Sequence, residues 1–117
     1  MAERSFDLVV IGGGSGGLAC AQRAVEYGAT VALVEASRLG GTCVNVGCVP
    51  KKVMWNAAQI AQAAHDARHY GFDLTVGAHD WPALKRSRDA YIERLNAIYE
   101  RNLAQRNVHL VRGRARL

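Results

Sequence analysis

A glycine-rich run between an apolar segment and a helical pattern constrains this chain most. The apolar run 6–11 ends at Gly-Gly-Gly-Ser-Gly-Gly, residues 12–17, and the pattern is helical from Gly16 onward. Gly12, Gly14 and Gly17 fit a G-x-G-x-x-G motif. In that motif the first glycine allows a tight turn, the second admits a pyrophosphate and the third lets helix and strand pack closely. A strand before and a helix after are the required context, so a phosphate-binding turn is predicted.

The residues that follow predict a strand-helix-strand unit. Leu18, Ala21 and Val25 recur with helical spacing, and Gly28 stands where a helix C-cap belongs. The segment 30–35 (Thr-Val-Ala-Leu-Val-Glu) reads as a second buried strand. The unit occupies about 30 residues, as βαβ motifs do.

Glu35 completes the nucleotide pattern. It ends the second strand, 18 residues after Gly17. A carboxylate there accepts hydrogen bonds from ribose hydroxyls and repels a 2′-phosphate, which favours FAD or NAD over NADP. The alternative is a glycine-rich turn beside an incidental solvated glutamate, and the motif alone does not separate FAD from NAD.

The remaining two-thirds of the chain predict two helices and a third strand. Residues 37–47 read as a glycine-rich loop, and Pro50 is expected to open a long helix because proline suits the first turn. Residues 70–80 form a polar connection, and Asp80 with Pro82 marks another helix start. The predicted apolar faces are Val53, Ala57, Ile60, Ala61 and Ala64 on the first helix and Ile92, Leu95, Tyr99 and Leu103 on the second.

The segment 108–111 predicts the third strand. The order βαβ, two helices, β indicates an α/β fold, a Rossmann-like parallel sheet flanked by helices. Three strands are few for this fold, so we expect the 117 residues to be the N-terminal part of a larger domain.

The composition argues against several classes of protein. Half of the residues are hydrophobic and only two are proline, as in globular rather than disordered chains. No apolar run could span a bilayer and no signal peptide is visible, so no membrane association and a cytoplasmic location are expected. The net charge of +5 could attract nucleic acid. However, basic and acidic residues alternate over 86–106, so we favour a partial chain without a nucleic-acid partner.

Cys43 and Cys48 form a C-x4-C pair. Five residues of regular helix rise ~7.5 Å, whereas a disulfide needs Cα atoms ~4.4–6.8 Å apart. A bridge would therefore require a distorted segment, which Gly47 would ease, and a bridge under such constraint would be readily reduced.

Two other interpretations of the cysteine pair are open. The pair could be free thiols in a core loop. Cys43, Cys48, His65 and His69 loosely match zinc-ligand spacing, but a helix from Pro50 would carry His65 ~22 Å away, so no metal is expected. Cys20, on the first helix beside small residues, is expected to pack.

The glycine motif, Glu35 and C-x4-C together resemble the pyridine nucleotide-disulfide oxidoreductase family. That resemblance implies FAD at this first nucleotide site. Residues 40–55 (GGTCVNVGCVPKKVMW) narrow the resemblance to one branch of this family, because Lys51 and Lys52 stand where lipoamide and mercury reductases usually carry serine-lysine. Lys51 and Lys52 instead resemble the glutathione- and trypanothione-reducing branch. Residues 88–99 are similar to the substrate-wall helix of its glutathione members.

The resemblance also implies roles. Cys43 would be the interchange thiol, Cys48 the flavin-side thiol and Lys51 a catalytic neighbour of the flavin. The FAD contacts would come from the glycine turn (Gly12, Gly14, Ser15, Gly16, Gly17) and from Glu35, Thr42, Cys43 and Lys51. Tyr99 would line the substrate pocket. Gln22 stands where some glutathione reductases carry arginine, and it provides hydrogen bonds but no charge.

The implied activity is NADPH-driven reduction of oxidised glutathione through a Cys43–Cys48 disulfide, serving cell redox homeostasis in a homodimer. The NADPH and dimerisation domains are not among these residues, so the chain alone is expected to be inactive. A sister activity on lipoamide, trypanothione or mercuric ion, and a non-catalytic FAD-binding module, are the alternatives.

Overall fold

The computed structural model describes residues 3–117, and these form one small sheet flanked by helices. The strands are β1 (Leu8–Ile11), β2 (Val31–Glu35) and β3 (His109–Arg112). The helices are α1 (Ser15–Glu26), α2 (Gly41–Val46), α3 (Cys48–Asp66) and α4 (Trp81–Gln105), and a short 3-10 helix, Ala67–Tyr70, follows α3. The predicted α/β class and three strands are confirmed.

The sheet is parallel throughout, with β2 between β1 and β3. Val10 pairs with Leu33, and Leu33 pairs with Leu110. Because all strands run the same way, their carboxyl ends lie at one edge. The glycine turn follows β1 and Glu35 ends β2 at that edge, which is where parallel α/β sheets bind ligands.

The core lies between the sheet, α1 and the end of α4. The buried cluster contains aliphatic side chains from all three regions: Val10, Leu18, Ala21, Val31, Leu33, Leu39, Leu103 and Val108. The predicted helical periodicity of α1 is borne out, since Leu18 and Ala21 are buried and Val25 is half-buried, while Cys20 and Arg23 are exposed.

The expectation of a loop over 37–47 was wrong for its second half. Residues 41–46 form the helix α2, and Val44 is buried. Gly40 adopts a left-handed conformation (φ 103°) at the start of that helix, and a side chain there would collide with Val44. The glycines therefore permit a sharp entry into a helix rather than mark an irregular loop.

The long helix begins two residues earlier than expected. The predicted start was Pro50, but α3 begins at Cys48, with Pro50 inside the first turn. Proline is tolerated there because first-turn N–H groups have no partner within the helix. The predicted apolar face of α3 is only partly covered, since Val53, Ala57 and Ala64 are half-buried while Ile60 is 71% exposed.

The predicted start of the second long helix is confirmed. Asp80 is the N-cap of α4, and its Oδ1 accepts a hydrogen bond from the Ala83 backbone N–H at 2.9 Å. Pro82 occupies the first turn. On the predicted stripe, Ile92 and Leu103 are buried and Tyr99 is half-buried.

Removing this cap should destabilise the fold. We expect Asp80→Ala to lower the free energy of unfolding by about 1 kcal/mol, because a first-turn N–H loses its acceptor. Asp80→Asn keeps an acceptor oxygen and should lose far less. Urea denaturation followed by far-UV circular dichroism measures both, and equal losses would contradict the capping role.

Candidate functional site

The glycine turn packs closely against its own helix. A Cβ on Gly17 would lie 1.8 Å from the carbonyl oxygen of Gly12, so the third glycine of the motif is required for close packing, as predicted. The N-cap of α1 is Gly14, which provides no side-chain cap. The first N–H groups of α1, which begins at Ser15, therefore stay available for an anion at the positive end of the helix dipole.

Glu35, at the end of β2, is hydrogen-bonded to the glycine turn. Its Oε2 accepts a hydrogen bond from the Gly13 N–H, and its Oε1 accepts one from the Ser37 N–H, both at 2.7 Å. Sequence reasoning had assigned this carboxylate only to a ribose. Each oxygen retains a further lone pair, and Glu35 lines a cavity of about 330 Å³ together with Ser37, Thr42 and Asn45.

The segment that carries the cysteines lies against the glycine turn. The Gly40 N–H donates a hydrogen bond to the Gly13 carbonyl oxygen at 2.8 Å. A Cβ on Gly41 would lie 2.8 Å from the Gly14 Cα. The two backbones therefore touch, and the glycine turn and the helix that carries Cys43 form one candidate site.

The helix breaks between the two cysteines, as a bridge would require. Cys43 lies in α2, Cys48 begins α3, and Gly47 joins them with φ −127° and ψ −114°. A Cβ on Gly47 would lie 2.8 Å from the Thr42 carbonyl oxygen and 3.2 Å from the Cys43 Cα. Both thiols are free in this structure, so the Cys43–Cys48 disulfide stays a prediction.

The two thiols interact electrostatically. The pKa of the Cys43 thiol is raised, chiefly by its hydrogen bond with the Cys48 side chain and also by partial desolvation. The Cys48 backbone N–H and the Ser15 hydroxyl act in the opposite direction, toward a lower pKa of Cys43. These contacts therefore disfavour the Cys43 thiolate, the form in which a cysteine is nucleophilic.

A second cavity contains Lys51 and Cys48, two of the predicted catalytic residues. Lys51 and Cys48 line a cavity of about 430 Å³ with Lys52 and Trp55. This places the lysine ammonium group and the second thiol on the same concave surface.

Tyr99 and Gln22 share a cavity of about 230 Å³ that also contains Ser15 and Val44. The two residues predicted for substrate binding thus lie together, although they are far apart in the chain. The Gln22 side-chain N–H donates to the Leu18 carbonyl oxygen at 3.1 Å, so this amide also bonds within its own helix.

The predictions made for Cys20 and for His65 can be compared with the structure. Cys20 is exposed rather than packed, because it lies on the side of α1 away from the buried Leu18 and Ala21. His65 contacts Asp66 on the exposed surface of α3 (Nδ1 to Oδ1, 3.0 Å). Over residues 3–117, no three His, Cys, Asp or Glu side chains are grouped for a metal ion.

Sequence reasoning missed two asparagines. The Asn96 side-chain N–H donates to the Leu39 carbonyl oxygen at 2.8 Å and to the Asn45 Oδ1 at 3.0 Å. Asn45 in turn donates to the Gly41 carbonyl oxygen at 2.9 Å. The sequence did show a polar residue, Asn96, beside the apolar stripe of α4. It gave no indication of the partner, because Asn45 lies 51 residues away.

None of the helices within 3–117 combines the length and apolar character needed to cross a bilayer.

This chain belongs to the pyridine nucleotide-disulphide oxidoreductase family, whose sequence profile matches residues 6–117. The predicted family is therefore confirmed. A Rossmann-type turn joined to a cysteine pair is the arrangement that the sequence resemblance implied.

Within that family the chain is similar to fungal glutathione reductases. It is 58% identical to the Schizosaccharomyces pombe enzyme over 115 residues, which is 97% of this chain and 25% of that protein. The Yarrowia lipolytica enzyme is 54% identical (96% of this chain, 25% of that protein). The Debaryomyces hansenii enzyme is 52% identical (96% and 24%). The chain thus spans about a quarter of the length of the curated relatives it matches.

The contact between Gly17 and Gly12 generates a stability prediction. We expect Gly17→Ala to lower the free energy of unfolding by at least about 1–3 kcal/mol, because the new methyl group must displace backbone. Gly16→Ala is the matched control, since a Cβ at Gly16 meets open space. Urea denaturation compares the two, and equal stability would contradict the packing argument.

The thiol pair generates a prediction about pH. In Cys48→Ala, the pKa of Cys43 should fall, because the hydrogen bond that contributes most to raising it is removed. Alkylation of reduced Cys43 by iodoacetamide should then begin at lower pH, as followed by mass spectrometry of the Cys43 peptide. Cys20→Ala should leave the profile unchanged, and an unshifted profile in Cys48→Ala would refute the coupling.

Proposed function

We propose that this chain is the N-terminal part of the FAD-binding domain of a disulfide reductase that uses NADPH to reduce oxidised glutathione. The observation that carries the proposal is the contact between the two halves of the site. The Gly40 N–H bonds to the Gly13 carbonyl oxygen, so a nucleotide held by the glycine turn would lie beside the Cys43 helix. This arrangement suits electron transfer between a bound dinucleotide and a dithiol.

The chain's own groups fit FAD. Gly14 leaves the start of α1 uncapped, so the N–H groups of the first turn can bind the pyrophosphate. Glu35 would accept from a ribose hydroxyl, and Thr42 lines the same cavity. Lys51 would lie near the reactive part of the flavin. Bound FAD would supply the two-electron relay between NADPH and the cysteine pair.

The cysteines divide the chemistry between them. The Cys43 thiolate would attack one sulfur of the substrate disulfide, form a mixed disulfide and release the first thiol product. The Cys48 thiolate would then attack the Cys43 sulfur, release the second product and restore the Cys43–Cys48 disulfide. A base in a partner subunit of a homodimer would take the proton from each attacking thiol and return it, as the conjugate acid, to the departing thiolate.

Exposed apolar surface supports the assignment to a larger domain. Val9 and Ile11 of β1 are 54% and 58% exposed, whereas parallel sheets are normally covered on both faces. We place the NADPH and dimerisation domains outside these 117 residues, and the enzyme in the cytoplasm, where thiols are kept reduced.

Glutathione is favoured over other acceptors by the comparisons: the relatives that share 52–58% identity are named glutathione reductases. Tyr99 and Gln22 line one cavity beside Ser15, which offers room for a disulfide substrate of any of these kinds. Lipoamide, trypanothione disulfide and mercuric ion are the competing acceptors, and a non-catalytic FAD-binding module is the alternative of another class.

The first test is NADPH oxidation by the complete enzyme with each of these four acceptors. We expect a strong preference for oxidised glutathione. Preference for another acceptor would refute the glutathione assignment, and oxidation with none of them would support the non-catalytic module.

The second test removes one thiol. Cys48→Ser should retain FAD, because the glycine turn is untouched, but should lose disulfide reduction by at least about a thousandfold, since the covalent step is lost. Flavin absorbance and NADPH oxidation measure the two properties. Cys20→Ser is the control and should remain active, whereas turnover by Cys48→Ser would refute the dithiol mechanism.

A further inference from the structure

An amide pair connects the cysteine segment to the long helix α4. One Asn96 N–H group reaches the Leu39 carbonyl oxygen at 2.8 Å, and the same nitrogen is 3.0 Å from the Asn45 Oδ1. The Asn45 nitrogen then donates to the carbonyl oxygens of Gly41 at 2.9 Å and Leu39 at 3.1 Å. We call these two residues the Asn45–Asn96 pair.

The pair lies between residues assigned to chemistry and to substrate binding. Asn45 is two residues after Cys43 on α2, and Asn96 is three residues before Tyr99 on α4. Residues three apart on a helix lie on the same side. Val44 of α2 and Tyr99 of α4 also line one cavity. The spacing of the two helices at the pair therefore sets the spacing across that cavity.

The hydrogen bonds at the pair are specific to asparagine. Among residues 3–117, Asn96 bonds only through its N–H groups, while Asn45 accepts with its oxygen and donates with its nitrogen. An aspartate at 96 would present oxygens to the Leu39 carbonyl and could not donate when ionised. Both side chains are half-buried, so a lost partner would be replaced only partly by water.

We propose that Asn96 is a positioning residue for disulfide reduction: through Asn45 and Leu39 it holds the Cys43 helix at a set distance from Tyr99. The inference rests on the proposed function, because Cys43 and Tyr99 must act on the same substrate. A small displacement of a reacting group costs a large factor in rate even when every catalytic residue remains. The effect should therefore appear in the reaction with the disulfide and not in the reaction with NADPH.

The experiment compares Asn96→Ala and Asn96→Asp in the complete FAD-containing enzyme. Asn102→Ala is the matched control, since Asn102 is a half-buried asparagine on the same helix whose side chain makes no hydrogen bond within residues 3–117. For both Asn96 variants we expect kcat/KM for oxidised glutathione to fall at least about tenfold. The KM for NADPH and the FAD content should be unchanged, and Asn102→Ala should match the wild type.

The outcomes separate the possible roles. Loss of FAD or thermal stability with unchanged kcat/KM per folded enzyme would show a purely structural role and overturn the inference. If Asn96→Ala fails to fold, Asn96→Asp decides, because it keeps the shape of the side chain. A wild-type enzyme that reduces no disulfide would refute the proposed function, whereas an active wild type with unaltered Asn96 variants would refute only the positioning role.

A double variant supplies a further check. If Asn45 and Asn96 act as one unit, Asn45→Ala should add little to the loss caused by Asn96→Ala, because residues in one hydrogen-bond network are not additive. Independent, additive losses would contradict a shared positioning role.

Discussion

The contact between two glycine-containing backbones is the constraint on which the site depends. Gly40 donates to the Gly13 carbonyl oxygen, and Gly41 approaches Gly14 too closely for a Cβ. A side chain at Gly41 would force the cysteine segment away from the glycine turn, and one at Gly40 would collide with Val44 within the segment. Glu35 stabilises the same junction, since its carboxylate accepts from Gly13 and Ser37. The glycine turn and the cysteine segment are thus joined by backbone contact rather than by a flexible connection.

The dithiol illustrates how local geometry and reactivity are linked. The break at Gly47 lets the end of the short helix α2 and the start of the long helix α3 present Cys43 and Cys48 to each other, and the resulting hydrogen bond raises the pKa of Cys43. Proximity, which disulfide exchange needs, therefore works against the thiolate that exchange also needs. In the reductase that we propose, a base outside this segment would accept the proton, and the chain spans about a quarter of the relatives it matches.

The sequence predictions were correct where an interaction joins residues close together in the chain, and they failed where it joins distant ones. The glycine turn, the start of α4 at Asp80 and the strand pattern were predicted correctly, because each depends on a few neighbouring residues. The loop expected over 37–47 was wrong, because α2 is stabilised by Val44 burial and by Asn45 and Asn96 bonds. Asn96 itself was missed, since nothing near it in the sequence indicates a partner on α2.

By itself, the sequence determined the class of fold and the family, and it predicted which two thiols would react. Those follow from residue types at short, characteristic spacings, such as G-x-G-x-x-G and C-x4-C. Only the tertiary structure decided that Gln22 and Tyr99 share a cavity, that Glu35 holds the glycine turn, and that the Asn45–Asn96 pair joins two helices. The physical reason is that hydrogen bonds and cavities form between residues far apart in the chain, where local spacing carries no information about distance.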